Sequence, residues 1–148
     1  MEASGEANAE QLRYARGSNQ AREQARAFIG KVLINRQTGV NAVVSGQSLK
    51  KMLSKSAVIK STGQQAHHQA VANADRLFAR ASLRLTRQPN RPSDIGKIKH
   101  LHHFDSAMLF DGRVLRVKLL VKEWLDKRRS NTLYTLASVE VEKPSAIV

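Results

Sequence analysis

The stretch Ile98–Leu125, IKHLHHFDSAMLFDGRVLRVKLLVKEWL, decides the fold. Its second half has a period of two. Leu115, Val117, Leu119 and Val121 alternate with Val114, Arg116, Lys118, Leu120 and Lys122. Strict alternation of this kind is the pattern of a half-buried β-strand. Asp111-Gly112 sits between the two halves and is a favoured two-residue hairpin turn. The spacing therefore predicts strands over Ile98–Phe110 and Arg113–Leu125, joined tightly.

A further strand is predicted over Thr132–Val141. Its expected apolar face is Leu133, Ala137, Val139 and Val141, with Tyr134, Leu136, Ser138 and Glu140 opposite. A polar loop at Asp126–Asn131 would pair Lys122 with Tyr134, Lys118 with Ser138 and Arg116 with Glu140. One sheet face is then core. The other is basic and carries a tyrosine, which suits either a solvated surface or a phosphate-binding one.

Upstream, Phe28–Asn35 and Val40–Ser45 flank the turn Gln37-Thr38-Gly39 and read as a short hairpin. Ser45 or Ser48 can cap a short helix over Leu49–Leu53. Ser61-Thr62-Gly63 interrupts the chain before a longer amphipathic helix, Gln65–Ala81. Gln88–Asp94 is a loop with two prolines. Residues 1–27 read as a linker or N-terminal helix outside the core, and residues 28–148 as one basic domain. Helices followed by an antiparallel meander give an α+β fold, with N-terminal helices on one face of a small antiparallel sheet.

Composition narrows the function. There is no cysteine, which excludes disulfides and thiolate metal sites. No run approaches the roughly 18 apolar residues of a membrane span, and MEASGEANAEQ does not read as a signal peptide. Net charge is +13. Residues 1–30 hold four basic and four acidic side chains, so the whole excess lies in residues 31–148. A compact basic domain of this kind points first to nucleic acid and then to an acidic protein partner.

Five histidines, His67, His68, His100, His102 and His103, are the candidate acid–base groups. On a helical wheel of about 100° per residue, His67 falls amid Ala70, Val71, Ala74, Leu77 and Phe78. His68 falls at the edge of that face and should be more exposed. His100 and His102 share a strand face with Ile98 and Phe104, while His103 points the other way. That face should meet the helix, so His67 and a strand histidine are expected to approach. Alternation separates His102 from His103, and no HExxH pattern is present, so neither a metal nor any cofactor is expected.

The runs VSGQSLKKML, AHHQAVANADRLF, HLHHF, VKLLVKE and NTLYTLASVE occur in this order over roughly Lys31–Glu142. Together they resemble the large polyvalent protein-associated domain of the MuF C-terminal type. That type is placed in the barnase/EndoU/colicin/RelE-like superfamily of small α+β ribonucleases and toxins. The resemblance implies functional roles for Lys50 and Lys51, for His67 and His102, for Lys118, Lys122 and Glu123, and for Tyr134. Alternation places Lys118 and Tyr134 opposite the apolar face and His67 beneath the helix. One site can use both sets only at a sheet edge or helix end.

The resulting expectation is a metal-independent endoribonuclease toxin or effector domain that cleaves RNA, tRNA among the candidates, through 2′-hydroxyl attack to a cyclic phosphate. His67, His102, Lys118 and Tyr134 are its expected catalytic residues. Lys50, Lys51, Arg116 and Lys122 are its expected substrate-binding residues. An acidic immunity protein is the expected partner. The parent protein would be secreted or injected, with the domain acting in the target-cell cytoplasm. The alternative is a non-catalytic nucleic-acid-binding module of a phage or mobile-element polyvalent protein.

Overall fold

Two adjacent strands, of thirteen and twelve residues, make the spine of the protein. They are β4, Ile98–Phe110, and β5, Arg113–Trp124, joined at Asp111-Gly112. Asp111 (φ 53°) and Gly112 (φ 75°) both adopt the left-handed conformation that this tight turn requires. The computed structural model describes residues 12–125 and 133–142. The predicted loop Asp126–Asn131 lies outside them.

The other elements are α1 (Ser18–Ala25), β1 (Val32–Ile34), β2 (Asn41–Val43), α2 (Gly46–Met52), α3 (Lys55–Lys60), α4 (Gln64–Ala72), α5 (Ala74–Ala79), β3 (Ser82–Arg87) and β6 (Leu133–Val141). The six strands form one sheet in the order β1-β2-β6-β5-β4-β3. Every pairing is antiparallel except the short parallel contact of β2 with β6, through Ala42–Tyr134 and Val43–Thr135. The α+β expectation holds.

The core lies on one sheet face, which we call the helix face. Phe104, Met108, Leu115, Val117, Leu119, Val121, Leu136, Val139 and Val141 are buried there against Ala70, Val71, Leu77 and Phe78. The rings of Phe78 and Phe104 meet edge to face, with centroids 5.2 Å apart.

Serine chemistry shapes the segment 45–61. Ser45 Oγ accepts the Ser48 amide at the start of α2, and Ser54 Oγ accepts the Ala57 amide at the start of α3. Beyond Thr135 no strand pairs with β6 on its β2 side among the described residues. Instead the Thr62 amide donates to Val141 O, and the Val141 amide donates to Ser61 Oγ. The α2–α3 segment thus runs along the β6 edge.

Four details differ from the sequence reading. The long helix breaks at Asn73 into α4 and α5, because Asn73 leaves helical geometry (φ −120°, ψ 23°) and its amide group bonds Arg13 O and Gln69 O. Residues 12–27 are not peripheral: Ala15, Ala21 and Ala25 are buried, and Arg13 pairs with Asp75 at 2.7 Å. Strand β3 and helix α3 were not anticipated. Lastly, β-bulges between Ile98 and His100 and between Leu120 and Val121 change which side chains share a face.

Candidate active site

The second bulge matters most. It leaves Lys118 opposite Glu140 and Leu120 opposite Ser138, but then sets Lys122 opposite Thr135 and Glu123 opposite Tyr134. The expected Lys122–Tyr134, Lys118–Ser138 and Arg116–Glu140 pairs are therefore not formed. A one-residue slip flips every later side chain. Tyr134 and Leu136 turn to the helix face, and Leu133 turns away from it.

On the opposite, open face, a groove of about 620 Å³ runs between the α2–α3 segment and the 88–97 loop, with β3 to β6 as its floor. Seven cations line it: Lys51, Lys60, Arg84, Arg87, Arg91, Lys118 and Lys122. Only Asp94 and Glu140 oppose them among its lining residues. Three of the cations are ion-paired. Arg84 lies 3.3 Å from Asp105, Lys118 lies 3.2 Å from Glu142, and Lys122 lies 3.5 Å from Asp94. Lys51, Lys60, Arg87 and Arg91 have no carboxylate partner among the described residues. A concave wall of one sign concentrates potential and attracts polyanions.

His103 is the imidazole of this groove. Arg87 Nε donates to His103 Nε2 at 2.9 Å. An arginine donates only to a lone pair, so the ring is neutral with its proton on Nδ1. Burial lowers the His103 pKa, and the charges of Arg87, Arg84 and Lys118 push it the same way.

A second polar cluster lies on the helix face. Glu123, 6% exposed, meets His102 Nε2 at 2.8 Å and His100 Nδ1 at 3.1 Å through the same oxygen, Oε1. Burial opposes ionisation of Glu123, but the hydrogen bonds from His102 and His100 outweigh it and hold the carboxyl below its usual range. Thr86 Oγ1 lies 2.8 Å from the other nitrogen of His102. Tyr134 packs 5.8 Å from the His102 ring. Burial and the adjacent Glu123 carboxylate raise the pKa of its hydroxyl.

His67 joins neither group. It is fully buried. Its Nδ1 lies 2.6 Å from Ser61 Oγ, and its Nε2 lies 2.7 Å from Met52 O. Met52 O only accepts, so Nε2 carries the proton and Nδ1 accepts from the Ser61 hydroxyl. That oxygen in turn accepts the Val141 amide. Every donor in the chain is used. Burial depresses the His67 pKa, although the Met52 carbonyl and Glu140 pull it back up. His68 is also buried, at 7% exposure, so the expected edge exposure is not found.

Comparison with known protein families matches residues 14–134 to the large polyvalent protein-associated domain 3. The chain belongs to that family. No curated protein and no solved structure matches it. The stretch matched to the polyvalent protein-associated domain 3 family runs from before α1 to the start of β6. It includes His103, Lys51, Lys118 and Lys122 in the groove, and His100, His102, Glu123 and Tyr134 on the helix face. No described helix of this domain is long and apolar enough to cross a membrane.

The sequence-derived residues thus fall into three places. Lys51, Lys118 and Lys122 line the groove. Lys50, exposed on α2, does not line it, and neither does Arg116, which is tied to Asp105 at 2.6 Å and Glu142 at 3.2 Å. His102 and Tyr134 meet on the other side of the sheet, and His67 is interior. His103, Arg84, Arg87 and Arg91 were missed. Alternation in the sequence already places His103 opposite His102, on the side of the lysines.

Proposed function

We propose that this domain is a metal-independent endoribonuclease whose substrate backbone lies in the open-face groove. One observation carries the reading: a histidine with a hydrogen-bonded arginine stands among seven cations in a single concave surface. RNA supplies both the phosphates that such a wall attracts and a 2′-hydroxyl nucleophile.

The incoming phosphate attracts Arg87 and draws its guanidinium from His103. This frees the Nε2 lone pair. His103 Nε2 then takes the 2′-hydroxyl proton, the 2′-oxygen attacks the adjacent phosphorus, and the bond to the 5′-oxygen breaks. That oxygen leaves with a proton from solvent, giving a 2′,3′-cyclic phosphate. Lys118, Arg87 and Lys51 stabilise the charge of the phosphorane. Trp124 also lines the groove and offers a stacking surface to a base.

Membership in a polyvalent protein-associated family supports placing the domain within a larger phage or mobile-element protein. The finer assignment, to the MuF C-terminal type and the barnase-like nuclease superfamily, agrees with the α+β layout. On that reading the domain is a toxin delivered to a target-cell cytoplasm and held in check by an acidic immunity protein. The test is to incubate the protein in EDTA with matched RNA and DNA oligonucleotides. RNA fragments ending in cyclic phosphate, with DNA intact, are expected. Salt-sensitive binding without cleavage would replace the enzyme with a nucleic-acid-binding module.

A further inference from the structure

We propose that His100, His102 and Glu123 form a zinc-binding site on the helix face of the sheet, across from the groove. The ligand atoms, His100 Nδ1, His102 Nε2 and a Glu123 carboxylate oxygen, lie within 4.8 Å of one another. A tetrahedral zinc with bonds of about 2.0–2.1 Å holds its ligand atoms about 3.3 Å apart. Glu123 Oε1 is already 2.8 Å from one imidazole nitrogen and 3.1 Å from the other. Small side-chain rotations therefore make room for the ion.

Without metal, His102 Nε2 donates its proton to the Glu123 carboxylate, and an arriving zinc displaces that proton and takes its place between the two groups. Metal binding needs the Nε2 lone pair of His102, so in the zinc-bound ring the proton must sit on Nδ1. Thr86 Oγ1, 2.8 Å from Nδ1, is placed to accept it. An orienting partner on the far nitrogen is the usual support of a ligating histidine. The His100 ring places Nδ1 toward Glu123, and its Nε2 has no partner among the described residues. The pocket is graded in exposure. Side-chain exposure is 8% at Glu123, 14% at His102 and 30% at His100, which gives the ion a route in and leaves a coordination position for water. The Lys99 ammonium, 3.9 Å from Glu123 Oε2, sits on an exposed side chain that can swing away from an arriving cation. Two imidazoles with one carboxylate select zinc over magnesium, which prefers an all-oxygen shell.

The experiment is calorimetric titration of the chelator-treated full chain with zinc chloride, and separately with magnesium chloride. One zinc per chain and no magnesium heat are expected. At least tenfold weaker zinc binding is expected for Glu123→Gln and for His100→Ala. The His100 ring is the most exposed of the three, so its variant remains informative if the glutamate variant fails to fold. Cobalt should give the visible absorption bands of an imidazole-ligated tetrahedral ion in the parent chain, and none in His100→Ala. No zinc binding by the parent, or equal affinity in parent and variants, would overturn the site. Neither result bears on RNA cleavage in EDTA, which depends on the other face.

Discussion

Arg87 and His103 are joined by a 2.9 Å hydrogen bond from Nε to Nε2 across the β3–β4 pair. The bond holds a neutral imidazole beside a cation with no carboxylate partner among the described residues. It thereby brings together the two kinds of group that phosphodiester cleavage requires.

Binding should be strongly salt-dependent. For single-stranded nucleic acid, the slope of log affinity against log salt is about −0.7 per neutralised phosphate. With the cleavage-deficient His103→Ala chain as background, Arg87→Ala and Lys51→Ala should each flatten the slope by about one such contact. Fluorescence anisotropy across a salt series measures this. Lys50→Ala, outside the groove, should leave the slope unchanged.

His67→Ala should act through stability. The substitution removes a fully buried ring and strands the Met52 carbonyl and the Ser61 hydroxyl. Losses of this type amount to about 2–4 kcal/mol. Urea unfolding should show a large drop in midpoint, with RNA cleavage by the folded fraction retained. An unchanged midpoint together with lost cleavage would instead return His67 to the active site.

Acid should destabilise the fold through the same residue. The folded His67 has a depressed pKa, whereas in the unfolded chain it titrates near 6.5. Below that pH the unfolded chain takes up a proton that the folded chain refuses, so stability falls as pH drops from about 6.5 toward the folded value and levels off beneath it, where both states are protonated. Well above about 6.5 both states are neutral and the effect vanishes. Urea midpoints compared at about pH 7.5 and pH 5.5 should differ in the parent and differ less in a folded His67→Gln variant. The remaining slope comes from His68 and His103, whose pKa values are also lowered.

Much of this architecture is legible in the sequence. Period-two alternation and Asp111-Gly112 locate the central hairpin, and Ser45 announces α2. What is hidden are single-residue insertions. The extra residue near Lys99 turns Ile98 away from the His100–His102 face to sit opposite Trp124. The bulge after Leu120 carries Tyr134 to the helix face. Such shifts are tertiary outcomes with no local composition signal. The wheel rightly sends His67 inward, but its partners, Ser61 and the Met52 carbonyl, come from a chain bend that periodicity does not reveal. The Glu123–His100–His102 convergence likewise depends on register.

The most direct test of the central claim is the rate at which His103→Ala cleaves RNA in EDTA, compared with the parent chain at equal folded concentration. Removal of a general base typically lowers rates by about 10²–10⁴-fold. We predict a fall in that range, with the RNA dissociation constant nearly unchanged. A parent chain that cuts no RNA, or a His103→Ala chain that cuts it as fast as the parent, would contradict the account.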